Sequence, residues 1–509
     1  MSSWTSGYVT DLEYTHGFYR ELTPRLLALA GLLKGQVTPD PDQPLSYCEL
    51  GCGQGFTINV LAAANPHIQF YGTDFNPAHI AGAQALAAEA GTANLHLYDQ
   101  AFAEFVEEPS LPAQFDVIVL HGIYSWITPE VRGQIVDFLS RKLRPGGLVY
   151  CSYNCLPGWS TAAPLRHLMY LHGKATGGPT AARLQPALDF INALLEKKAL
   201  YFGANPGLKT RVERMGKMPR NYLAHEYLND AWTLLYHSDV VAEFSEAKLS
   251  FIGAANLLDH IDAINLSTDQ QAILNGLPDP TLRETVRDFM VNQQFRRDLF
   301  MRGAVALTPQ QAQANWSKTQ IALTIRRSDV QNKVTGARGE AELQADVYDP
   351  VLDSLAEGPK SLQQLAVDPR TAKIGGARIQ QALALLVGAG HAQPCAPEEL
   401  RKAADKTTAA FNRAVMQRAR SSADLASLAS PVTGSGVNAD RFSQLFLLAE
   451  AEGADPVKFA WQALAQLGQR LIKDGKPIET ETENLEEIRG RLETFSEKQR
   501  PLLQSLGVV

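Results

Sequence analysis

The sequence predicts an α/β protein built on an open, mostly parallel sheet of Rossmann type, followed by helical units. Three observations carry that expectation: short apolar runs alternating with helical periodicity between Tyr47 and Asn154, a glycine-rich turn directly behind the first run, and mostly helical periodicity afterwards. The runs LSYCEL, IQFYGTD, NLHLYD, FDVIVLHG and GLVYCSYN have the length and composition of strands buried on both faces. Between them FTINVLAAA, PAHIAGAQALAAEA and PEVRGQIVDFLSRKL place apolar residues at helical spacing. Such alternation makes βαβ units, hence a parallel sheet with helices on both faces. RPGG at 144–147 is the expected turn into the last strand.

Ahead of the sheet, residues 10–34 read as one or two helices closed by the breaker-rich TPDPDQP. Beyond it, CLPGWSTAAPLRHLMYLHG starts a helical stretch, GGPT interrupts it, and 181–203 read as one long amphipathic helix in spite of Pro186. Residues 219–304 read as an α-rich unit with short strands at most, and a polar segment at 308–342 leads to a third unit. There DVYDPVLDSLAEG, SLQQLA and RIQQALALLVGAGHAQPC predict three short helices and a strand, a winged-helix-like order. Five acids (Asp346, Asp349, Asp353, Glu357, Asp368) against four bases (Lys360, Arg370, Lys373, Arg378) leave no basic recognition helix, so protein contact or dimerisation is favoured over DNA reading. The Ser/Ala/Gly-rich 420–438 reads as a linker or long loop, and 439–509 as helical with an acidic turn at TETENLEE. The expected division is an N-terminal helical cover (1–42), a ligand-binding α/β domain (43–175), a middle helical domain (176–310) and a C-terminal winged-helix-like and helical domain (340–509).

With 509 residues, 45% hydrophobic and 20% charged, the chain can bury several cores, and a net charge of −7 favours neither nucleic acid nor an anionic membrane as partner. Five cysteines in apolar or glycine-rich contexts do not make a secreted disulfide framework. The opening MSSWTSGYVTDLEY lacks a basic and apolar leader pattern, so a soluble cytoplasmic protein is expected. Cys48/Cys52 and Cys151/Cys155 have spacings that suit a metal, but strands one and five of this fold lie two apart, about 10 Å. A shared zinc needs Zn–S bonds near 2.3 Å, so no metal is expected. His225-Glu226 has Asn229 where H-E-x-x-H needs its second histidine.

The chemistry concentrates in Glu49-Leu-Gly51-Cys52-Gly53-Gln-Gly55. Glycines between a strand and a helix let the backbone turn sharply and approach a nucleotide-like ligand. A pyrophosphate dinucleotide favours G-x-G-x-x-G; here the third glycine comes one residue early and the carboxylate of Glu49 leads the loop, which suits a ligand with a cationic amino-acid end. Asp74, closing the second strand, is placed to accept ribose hydroxyls, and Asp99, closing the third, an adenine amino group. Cys52, Phe75, Gln100 and His121 complete the candidate set. The ordered acids and glycines resemble the class I S-adenosylmethionine-dependent methyltransferases, which implies S-adenosylmethionine as cofactor.

Methyl transfer from that cofactor asks the protein to hold a nucleophile about 3 Å from the methyl in a dry, aligned site. Candidates lie in HGIYSWI and SYNCLPGW: Tyr124, Trp126, Tyr153 and Asn154, whose rings and amide suit an amine. Core packing explains each ring equally well. The words YCELGCGQGFTINVLAAANP, YGTDFNPAHI, FDVIVLHGIYSWI, LRPGGLVYCSYNCLPGW, NYLAHEYLNDAW and FRRDLFMRG together resemble bacterial protein-lysine methyltransferases that carry a methyltransferase regulatory domain, whose known members modify outer-membrane proteins. The resemblance runs from about residue 10 to 305. It implies methyl transfer to the side-chain amine of lysine in a protein substrate, an outer-membrane protein before export among the candidates, and it allows a homodimer. It also implies that Tyr222, His225 and Glu226 face the substrate cleft. Two alternatives stay open: a small-molecule O- or N-methyltransferase, and a non-catalytic cofactor-sensing regulator.

Overall fold

Five strands, β1 (Ser46–Leu50), β2 (Gln69–Thr73), β3 (Leu95–Tyr98), β4 (Phe115–Leu120) and β5 (Leu143–Asn154), run parallel in a computed structural model that describes residues 16–473 and 475–509. They match the five apolar runs. The helices between them are α2 (Phe56–Ala64), α3 (Pro77–Ala90), the one-turn α4 (Phe102–Phe105) and α5 (Pro129–Lys142), with α1 (Pro24–Leu33) ahead of the sheet. Part of the predicted helical cover, residues 10–15, lies outside the described residues. Two-residue alternation sends Tyr47, Val117, Val119, Leu148 and Tyr150 into one core. Cys48, Ile118, Leu120, Val149 and Cys151 enter a second core on the other face.

The sheet does not end at β5. Two further strands, β6 (Leu249–Ala254) and β7 (Phe295–Arg302), complete the order β3-β2-β1-β4-β5-β7-β6, with β7 antiparallel to both of its neighbours. Residues 219–304 are mostly helical as expected, but the expectation of short strands at most is corrected, since β6 and β7 belong to the main sheet. Phe295–Arg302 carries four charged residues among its eight, yet it pairs with β5 over seven residues because Arg296 and Asp298 bond each other in the interior. The long helix expected over 181–203 is two, Thr180–Glu196 and Leu200–Ala204, parted where Lys198 takes a left-handed φ of 57°.

Past the sheet, the polar lead at 308–342 contributes a central strand, Gln320–Leu323, to a three-stranded sheet with Lys360–Ser361 and Ala392–Pro394. The three helices Ala345–Leu355, Leu362–Val367 and Gly376–Gly388 occur in the winged-helix-like order. The linker expected at 420–438 is instead a buried hairpin, Ser427–Ser430 with Ser435–Asn438. Its small side chains let it lie against α2, where Asn65 Nδ2 donates to Gly434 O at 2.9 Å. All nine residues of α2, seven of them apolar, are consequently buried, and its two polar side chains, Thr57 and Asn59, donate to the carbonyls of Gly17 and Gly55. TETENLEE is no turn but the start of helix Glu481–Thr494, capped by Thr480, with its acids at the positive end of the helix dipole. Among the described residues no helix is long and apolar enough to cross a membrane.

Candidate active site

The turn after β1 is closed by its neighbour: the Gly51 and Cys52 N–H groups donate to Thr73 O at 2.8 and 3.0 Å. Gly51, Gly53 and Gly55 all have left-handed φ, at 70°, 53° and 64°. They serve different ends. A Cβ on Gly51 would lie 2.6 Å from Ile123 Cδ1 and one on Gly55 2.5 Å from the Ala83 Cβ, so these two permit close packing. At Gly53 a Cβ would meet nothing within 4 Å, because that residue faces a cavity.

The cavity has a volume of about 340 Å³ at the carboxyl edge of the parallel strands, where an open α/β sheet binds its ligand. Of the predicted residues, Glu49, Gly51, Cys52, Gly53, Gly55, Asp74, Phe75, Gln100, His121 and Trp126 line it. Asp74 is 7% exposed; its Oδ2 accepts from Gly53 N at 3.0 Å, while Oδ1 accepts from Asn76 N at 3.0 Å and lies 3.3 Å from His79 Nδ1. Glu49 is buried and its Oε2 has no hydrogen-bond partner among the described residues. Burial, then the charge of Asp74, pushes the Glu49 carboxyl up to about 8. His121 Nδ1 lies 2.8 Å from the Tyr150 hydroxyl, and burial holds the imidazole down to about 4.

Sequence reasoning missed Tyr19 and His79. The Tyr19 ring packs against His121, tilted by 35° with centroids 4.0 Å apart, and its N–H donates to Thr57 Oγ1 at 3.1 Å, strapping residues 17–19 across α2. Nothing local marks it, since it lies thirty residues ahead of the glycine loop. His79 was findable, standing in the first turn of the helix that Asn76 caps, on the face toward Asp74.

Four predicted residues stand elsewhere. Asp99 is exposed and outside the cavity wall: Thr73 Oγ1 donates to the carbonyls of Tyr98 and Gln100, which turns Gln100 inward and Asp99 out. Gln100 donates from Nε2 to Glu108 at 2.9 Å, while its buried Oε1 has no partner among the described residues. Tyr124 and Tyr153 do not line the cavity either; Tyr124 donates to Glu243, and Tyr153 donates to Asp298 at 2.6 Å. For Tyr153 the cause is strand alternation: Tyr150 and Ser152 point to His121, so Tyr153 points to the opposite face. Asn154 shares the face of Ser152 but lies just past the cavity wall, its N–H donating to Ser125 Oγ at 2.8 Å. Tyr222, His225 and Glu226, on helix Arg220–Leu228, are likewise outside the wall.

Sheet order, glycine loop and cavity define a class I S-adenosylmethionine-dependent methyltransferase. The residues fit that cofactor: the unpaired Glu49 Oε2 suits a cationic amino-acid end, Asp74 a ribose, and the unpaired Gln100 Oε1 an exocyclic amine, with Gly53 leaving room between them. Comparison with known proteins agrees. Residues 48–149 match the family model described as "Methyltransferase domain", and 219–302 the one described as "Predicted methyltransferase regulatory domain". The chain is 46% identical over 506 residues to the uncharacterized protein sll1526 of Synechocystis sp., covering 99% of this chain and 100% of that one. PKMT2 from Rickettsia typhi shares the fold with a TM-score of 0.70 at 19% identity, over 97% of this chain and all of that one. The same protein in complex with AdoHcy aligns with a TM-score of 0.68 at 21% identity, over 95% and 98%. The chain belongs to the class I S-adenosylmethionine-dependent methyltransferases that carry a regulatory domain.

The different uses of the glycines can be tested. Gly53→Ala should cost at most about 1–2 kcal/mol of stability for the left-handed φ, yet lower cofactor affinity about tenfold or more by filling the cradle. Calorimetric titration beside a thermal melt checks both values.

Proposed function

We propose that the acceptor is an amine, the side-chain amine of lysine in a protein substrate. The observation that supports this reading is the cavity wall beside the glycine loop: Tyr19, His121 and Trp126 all line it, and burial holds the His121 imidazole neutral. When bound, S-adenosylmethionine supplies an electrophilic methyl group on a sulfonium with a neutral thioether leaving group. The rings exclude water and attract the cationic amine that enters. His121, held neutral by burial, is too weak a base to deprotonate an ammonium group, but its Nε2 has no protein partner among the described residues and can orient the acceptor nitrogen. Desolvation among the rings lowers the pKa of the ammonium group, so that it releases its proton to bulk water as it enters and presents a neutral nitrogen to the methyl. The shared fold of PKMT2 from Rickettsia typhi and the lysine-methyltransferase motifs of the sequence support the same reading.

The test is mass spectrometry of a cell lysate treated with the enzyme and isotopically labelled S-adenosylmethionine. Labelled lysine side chains in protein are expected. Label found only in small molecules would replace the reading with a small-molecule methyltransferase, and no label with intact cofactor binding would replace it with a sensing role.

A further inference from the structure

Behind the loop that follows β5 lies a buried charge cluster that does not touch the cavity. Tyr153 Oη donates to Asp298 Oδ2 at 2.6 Å, and His237 Nδ1 lies 3.0 Å from the same oxygen. Arg296 Nε donates to both Asp298 oxygens at 2.9 Å, and the rest of its guanidinium reaches Asp288 and, at 3.1 Å, Glu284. Tyr153, His237 and Asp298 are at most 1% exposed and Arg296 is 5% exposed. Burial alone would raise the Asp298 carboxyl; Arg296 and His237 instead hold it down to about 2. Such a cluster is a weak source of stability, since well-packed apolar side chains commonly do as well, whereas its geometric demands are strict.

Every partner of Tyr153 in this cluster belongs to the segment matched as the regulatory domain, while Tyr153 itself belongs to the methyltransferase sheet. The residues after it are strapped by the same segment. Leu235 N donates to Asn154 O at 3.2 Å and Leu156 N to Leu235 O at 3.1 Å. On the other side Cys155 N and Gly158 N donate to the carbonyls of Gln294 and Gln293 at 2.9 and 3.0 Å. Thr233 N donates to Ser125 O at 2.8 Å, next to the cavity residue Trp126.

We propose that His237, Arg296 and Asp298 are positioning residues, which set the loop after β5 through the Tyr153 hydroxyl, so that the regulatory segment acts on the methyl-transfer step and not on cofactor affinity. The cofactor loop gains nothing from them, because it hangs on β1 and β2 at the other side of the sheet. Tyr153 and Asp298 act through one bond, so their effects should not add.

Tyr153→Phe, Asp298→Asn and the double variant of the full chain are compared with wild type, using lysate acceptors and labelled S-adenosylmethionine. Each single change is expected to lower the rate at saturating cofactor about tenfold with the cofactor KM within about twofold, and the double variant to be no slower than the slower single. Hydrogen exchange read independently of any acceptor should quicken at 154–158 and stay unchanged at 49–55. Tyr153→Phe keeps the ring and removes one hydroxyl, so it tests the bond even where Asp298→Asn fails to fold. Additive losses, a loss carried by the cofactor KM, or a Tyr153→Phe protein that melts lower while its rate and loop exchange stay those of wild type would each overturn the proposal.

Discussion

Glu49→Gln should weaken calorimetric binding of S-adenosylmethionine by about 10- to 150-fold, the loss of a charge-assisted hydrogen bond worth roughly 1.5–3 kcal/mol. The larger signature is in pH. In the ligand-free protein the Glu49 carboxyl titrates at about 8, raised first by burial and then by Asp74, so at neutral pH it carries a proton. Holding a cationic ammonium group requires the carboxylate. Binding therefore releases a proton, and affinity should climb with pH by up to about tenfold per unit below 8 and level off above it. Glu49→Gln should flatten that climb. Stability of the ligand-free protein has the opposite slope: the folded state holds this proton more tightly than the unfolded chain, whose carboxyl titrates near 4.3, so the Glu49 contribution declines from about 4.3 towards 8. Titrations at several pH values check the first slope, and thermal melts without ligand the second. An affinity independent of pH in wild type would remove Glu49 from the site.

Asp74→Ala should abolish measurable cofactor binding and also lower the melting temperature. Two N–H groups, those of Gly53 and Asn76, lose their acceptor and His79 loses its partner, at about 1 kcal/mol for each ordinary bond. The residue thus has two duties, shaping the glycine turn and meeting the sugar. Asp74→Asn separates them, since an amide oxygen still accepts from one N–H but no longer offers a charged acceptor. It is expected to keep most of the stability and lose about tenfold or more in affinity. Unchanged affinity in Asp74→Ala would refute its placement at the ribose.

The parallel strands were legible because strands buried on both faces must be apolar throughout, and LSYCEL, FDVIVLHG and GLVYCSYN have nowhere else to go. The glycine loop was legible because left-handed φ at three alternate residues leaves few choices of side chain. FRRDLFMR escaped because its charges are satisfied by partners distant in sequence, among them His237 and Tyr153. The hairpin at 427–438 escaped for the opposite reason: serine, alanine and glycine look like linker until a helix as apolar as α2 lies close enough to need small neighbours. At the site, Tyr124 in the loop after β4 and Tyr153 near the end of β5 stand at the right edge of the sheet but face away from the cavity. Asp99 stands one residue from Gln100, which turns inward in its place.

By itself, then, the sequence determined the order of strands and helices around the ligand edge, the backbone bend that admits a cofactor and the acids Glu49 and Asp74, because each is imposed by short-range periodicity or by conformations few residues tolerate. Only the tertiary structure decided which ring or carboxylate faces the cavity, that Tyr19 closes over it, and that β6 and β7 finish the sheet. Facing depends on the phase of each strand against its neighbours, and a one-residue step reverses it.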